Sequence, residues 1–291
     1  MRRSLAMMLA LATASLTGCF TATPDRAITH FEAQAPFICQ PGEDGVQLDV
    51  YLVERPAADG CINRDVWELA DEQALQDRKG PLNDNGFRAC VLGVTPPDGL
   101  QSLLRSERSC ANPRRLRLHA GKAAQIVLGP VAPQLHCLLR QDGRTGDVDL
   151  EHAQCLLLVT PHVAADGRLV LQFTPAIRHG EAVAMPRPVQ DPSGVMHWDV
   201  QTEQPLETYR GLGWELTVAS NSYMAVGTLL DREDTLGQAA FLTSDGAKTQ
   251  RLLVLRAGRL QASSCAADET NGKSPSLAQQ AGALSARAVG P

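Results

Sequence analysis

Between residues 114 and 256 apolar and polar residues alternate with a period of two, and Gly-containing turns punctuate the alternation. Successive side chains of a strand point to opposite faces, so this pattern suits sheets with one buried face and disfavours long helices. Leu116, Leu118 and Ala120 alternate with Arg115, Arg117 and His119, and Gly121 turns the chain into a second strand over 124–128. Segments 137–139 and 148–150 flank Asp142-Gly143. Segments 156–159 and 169–173 flank Asp166-Gly167, a sequence suited to the positive φ of a tight hairpin. Trp214, Leu216 and Val218 share one face, and 223–229 and 251–255 supply further strands.

The earlier part of the chain is mixed. A strand is expected over 47–53, with Pro56 as its stop. Asn63 or Asp65 can cap a helix carrying Val66, Leu69, Ala70 and Ala74 and ending near Arg78, before Gly80 and Pro81. Asn85-Gly86 marks a turn, 87–94 reads as a strand, and Leu100, Leu103 and Leu104 as a short helix. The expected fold class is therefore α+β: a small mixed domain over 39–112, then a mainly antiparallel β domain over 113–258. His179-Gly180-Glu181 reads as a loop, and the Ala-, Ser-, Gln- and Gly-rich residues 259–291 as a disordered tail.

The chain opens Met1-Arg2-Arg3, followed by apolar or small residues over 5–16 and then Leu16-Thr17-Gly18-Cys19. A cationic start, a short apolar run and small residues before a cut form a secretory signal. The run is too short to cross a hydrocarbon core, which takes about 20 helical residues. The last four residues resemble the lipobox of bacterial lipoproteins. That resemblance implies removal of residues 1–18, lipidation of Cys19 and a tether over 19–38. It also implies membrane attachment through more than one acyl chain, since a single chain binds only marginally. Phe20 follows the cysteine where an Asp would favour inner-membrane retention, which favours the outer membrane.

Export changes the reading of the cysteines. Of eight, Cys19 is the lipid carrier that the lipobox resemblance implies. Cys39, Cys61, Cys90, Cys110, Cys137 and Cys155 are the disulfide candidates in an oxidising envelope, with fifteen connectivities open. Cys265, in the polar tail, is the expected unpaired thiol. No CxxC occurs and no cysteine lies at zinc-ligand spacing from a histidine, so no metal is expected. The net charge of −5 and the interruption of Arg114, Arg115 and Arg117 by Leu116 argue against a nucleic-acid partner.

No catalytic residue and no cofactor is assigned. The GxSxG, HExxH, phosphate-loop and GxGxxG patterns are absent. Asp71 and Glu72 adjoin, but on a helix neighbouring side chains diverge by about 100°, which suits a solvated face. His136 and His152 flank Cys137 and Cys155 and read as strand positions. Trp198, Tyr209 and Trp214 are the candidates for an aromatic binding surface.

Residues 116–129, a strand, a turn, an Ala and an apolar strand ending in Gly129, resemble part of the secretin core of bacterial secretion systems. Leu100 to Leu104 resembles the short helix that precedes it there. Residues 156–173 resemble the secretin hairpin, with Pro161 in its first strand and Asp166-Gly167 at its turn. Residues 214–229, Thr235-Leu236-Gly237 and 250–256 follow in the family's order, so the likeness spans 115–256. A double Gly of that family is missing, because Gly227 is followed by Thr228. The resemblance implies a non-catalytic structural or assembly role in the cell envelope, with envelope proteins or further copies as partners. The alternative is an extracytoplasmic module that binds a ligand or a protein.

Overall fold

A computed structural model describes residues 45–260 apart from 142, 192 and 244–247. The expected signal, Cys19, the tether, Cys39, Cys265 and the tail beyond Leu260 lie outside the described residues. The strands are β1 (Gly45–Pro56), β2 (Phe87–Gly93), β3 (Cys110–His119), β4 (Ala124–Val127), β5 (Ala132–Gln141), β6 (Arg144–Val163) and β7 (Leu169–Arg178). They continue as β8 (Val183–Gln190), β9 (Met196–Glu203), β10 (Leu206–Thr208), β11 (Trp214–Val218), β12 (Ser222–Thr228), β13 (Leu242–Thr243) and β14 (Thr249–Leu260). Among the described residues four α-helices accompany them: α1 (Cys61–Asp65), α2 (Gln76–Asp84), α3 (Asp98–Arg105) and α4 (Leu236–Phe241). The α+β, antiparallel character expected from the alternation is observed.

One sheet runs β2-β12-β14-β1-β3, with β13 beside β14. The other runs β10-β7-β6-β4, with β11 also on β7 and β5 also on β6. The main core lies between them: Val46, Leu48 and Leu253 from the first sheet meet Leu157, Leu171 and Phe173 from the second. A smaller core on the far side of the first sheet packs Ile62, Trp67, Leu100 and Leu103 against Cys90, Ala225, Leu252 and Val254. Both faces of β14 are therefore covered. That explains why Leu252 to Leu255 form an unbroken apolar run in place of an alternating one.

Several expectations are corrected. β1 pairs along its length with β14, from Gly45↔Leu260 to Pro56↔Thr249, and β2 pairs with β12. The division expected at 112/113 thus falls within one sheet, in β3, which pairs with β1. The single helix expected up to Arg78 is instead α1, two single turns at Trp67–Leu69 and Gln73–Leu75, and α2, which extends to Asp84. The break coincides with Asp71 pairing with Val91 of β2, a contact only the tertiary fold supplies. The segments 148–150 and 156–159 belong to one strand, β6, which leaves β5 for β7 near His152 (φ 49°). Residues 259 and 260, assigned to the tail, complete β14.

Candidate functional site

The ribbon β8–β9 is where this structure departs furthest from a closed globule. The two strands pair in register from Val183↔Glu203 to Gln190↔Met196. Neither makes more than marginal contact with any other element. Among the described residues, eight large hydrophobic side chains are exposed, and six of them lie at 183–206: Val183, Val195, Met196, Trp198, Val200 and Leu206. Four of them stand on the ribbon's strands and Val195 at its turn, while Leu206 belongs to β10. Isolated exposed apolar residues are ordinary, whereas a cluster on one element marks an interaction surface.

The register sorts these residues. Directly paired residues of an antiparallel ribbon share a face. Ala184, Pro186, Pro188 and Gln190 face the same way as their partners Thr202, Val200, Trp198 and Met196. None of these eight residues is ionisable. The alternate positions include His197, Asp199 and Glu203. On the uncharged face Trp198 is 71% exposed, Val200 64% and Met196 59%.

The ribbon is firmly rooted. At its base His179 N donates to Pro205 O (3.0 Å) and Gly180 N to Glu151 O (2.8 Å). The Gln204 side-chain amide donates to Gly180 O (2.8 Å). Glu207 lies 3.5 Å from His179 Nε2 and accepts from the Tyr209 hydroxyl at 3.1 Å. Burial, with Glu207 beside it, raises the Tyr209 phenol above its ordinary value. At the tip Asp191 Oδ1 accepts from Ser193 N (2.9 Å), Ser193 Oγ (2.6 Å) and Val195 N (2.9 Å). These bonds, the Ser193 hydroxyl foremost, hold the Asp191 carboxyl below its usual range.

The aromatic trio is not one surface. Trp214 (3% exposed) stacks on Phe173 with centroids 5.2 Å apart in the main core, and Tyr209 (9%) is buried nearby. Only Trp198 reaches solvent. β11 puts Trp214 directly opposite Phe173 of β7, on the face that the main core covers. His136 and His152 are both exposed, on the outer side of the β5–β6 strands that bury Cys137 and Cys155.

The five described cysteine candidates, Cys61, Cys90, Cys110, Cys137 and Cys155, are free thiols. Cys90 sits in the outer core and Cys137 and Cys155 in the main one. Burial pushes the Cys90 and Cys155 thiols up to about 12 and Cys137 up to about 11. Among the described residues no cluster of His, Cys, Asp or Glu could hold a metal. A shallow depression of about 220 Å³ lies over Asp49, Tyr51, Pro113, Arg114 and Arg115, where Arg115 Nε bonds Asp49 Oδ1 at 2.8 Å.

No protein-family model matches the chain. No curated protein matches it either. Among solved structures it is similar to the secretin InvG of the Salmonella SPI-1 type III secretion injectisome, with 10% identity and a TM-score of 0.23 over 82% of this chain and 74% of that one. It is also similar to the type IV competence pilus secretin PilQ of V. cholerae, with 13% identity and a TM-score of 0.21 over 75% of this chain and 57% of that one. Scores at this level do not mark a shared fold.

Proposed function

We propose that this chain is a lipid-anchored protein of the bacterial cell envelope with a non-catalytic, structural or assembly role, and that the β8–β9 ribbon is its association element. The observation that carries the reading is the ribbon itself: a rooted, projecting two-stranded element that concentrates the exposed apolar side chains. A two-stranded ribbon is marginal on its own in water, and an apolar surface of this kind gains by being covered. The lipobox resemblance at Cys19 supports the anchoring, and the order of the secretin-like segments over 115–256 supports the assembly role. The test is the mass of the native protein extracted in mild detergent, with and without crosslinking. A discrete complex, either of copies of this chain or with another envelope protein, is expected. A monomer without crosslinked neighbours overturns the assembly role.

A further inference from the structure

We infer that the ribbon lies flat on a lipid bilayer, with the face formed by Pro186, Pro188, Met196, Trp198 and Val200 embedded at the headgroup–acyl boundary. The inference rests on the ribbon being the association element and names what it associates with. Three features of the ribbon point to lipid and to this orientation.

The first is chemistry. The eight residues of this face carry no ionisable group, while His197, Asp199 and Glu203 occupy the alternate positions. Val183 and Val189 stand among those charged groups, so the two faces differ in that one carries all the ionisable groups of the two strands and the other none, which suits an interface with hydrocarbon below and water above. Trp198 stands in the middle of the uncharged face, and an indole pairs a large apolar body with one N–H, which suits the headgroup level.

The second is the backbone edge. An unbroken β8–β9 ladder requires the nitrogens of Pro186 and Pro188 to face away from β9, because proline has no N–H to donate into the ladder. The outer edge of β8 therefore lacks two donors and is a poor template for a strand from another copy. Face-to-face covering remains, and edge-to-edge pairing is hindered.

The third is length and closure. Eight residues per strand reach roughly 26 Å. A spanning strand needs about 9–11 residues and a closed barrel that satisfies every backbone group. A ribbon with an incomplete edge meets neither condition, so it lies in the interface and keeps its edges near water.

The ribbon's single tryptophan supplies the probe, since Trp67 and Trp214 are each 3% exposed. The full-length protein is bound to vesicles of phosphatidylcholine with brominated acyl chains and to the same vesicles without bromine, and tryptophan emission is compared. A blue shift with bromine quenching is expected. Trp198→Tyr removes the quenchable component, Val200→Asp weakens the quenching, and His197→Gln on the opposite face leaves it unchanged. Emission that stays red and unquenched overturns the inference. So does a blue shift without bromine quenching, which means that protein covers Trp198. Equal loss with His197→Gln overturns the orientation. Circular dichroism on each variant separates these results from misfolding. The detergent mass reads assembly independently, so a failed quenching result leaves the assembly role standing, and a monomeric mass leaves lipid contact standing.

Discussion

Asn85 shows how much one side chain can join. It is fully buried, its amide nitrogen donates to Pro81 O (2.9 Å) and Arg140 O (2.6 Å), and its Oδ1 accepts from Arg140 N (2.7 Å). The residue ties the end of α2 to β5. Asn85→Ala strands the Arg140 backbone groups, and a loss of about 2–4 kcal/mol is expected in urea unfolding. The turn at Asn85-Gly86 is readable from sequence, but its partner stands 55 residues away. Gly86 and Gly237 extend the same junction: a Cβ on Gly237 would lie 2.4 Å from the Gly86 carbonyl carbon, which leaves space only for hydrogen. The tryptophans divide by place. Trp214→Ala should cost about 3–5 kcal/mol, as large core truncations do, whereas Trp198→Ala should change stability by no more than about 0.5 kcal/mol. The buried thiols set a pH dependence. Their folded values lie above the unfolded one of about 8.5. The stability they contribute is intact below that value and is lost as pH rises toward about 12 for Cys90 and Cys155. Alkaline unfolding curves should therefore flatten in Cys90→Ala and Cys155→Ala.

Among the elements, the hairpins announced by glycine turns were legible and the ribbon was not. The β6–β7 turn contains Asp166 and Gly167, whose φ is 83° and whose N–H bonds Ala164 O at 2.9 Å. That positive φ is the property an Asp-Gly pair signals. β8 holds Pro186 and Pro188, which read as strand breakers, and its partner strand alternates Met196, Trp198 and Val200 without burying them. Periodicity reports which residues share a face, and what covers that face is not written in it. Val200→Asp is expected to leave urea stability within about 0.5 kcal/mol of the native protein. The same change should weaken the bromine quenching of Trp198 without altering that stability, because it places a charge on the face set against lipid.

At the scale of the molecule, the pairing of β1 with β14 brings together the two ends of the described chain, with β14 central in its sheet between β12 and β1. A chain that stops before Thr249 loses the strand that fills both cores, and it should fail to give a cooperative unfolding transition. Hydrogen exchange should be slowest in β14 and fastest in β8 and β9, following burial and packing. Such long-range pairing also implies slow folding relative to helical proteins of this size.

The sequence by itself determined what is local: strand periods, the positive-φ turns, the α+β class and the lipobox-like start. Tertiary structure alone decided that residues 45–112 and 113–260 share a sheet, because register between distant strands depends on which faces can be buried together. It also decided that Trp214 and Tyr209 are core while Trp198 is surface. Alternation is the same for a strand beneath a second sheet and for one beneath nothing, and only packing distinguishes them.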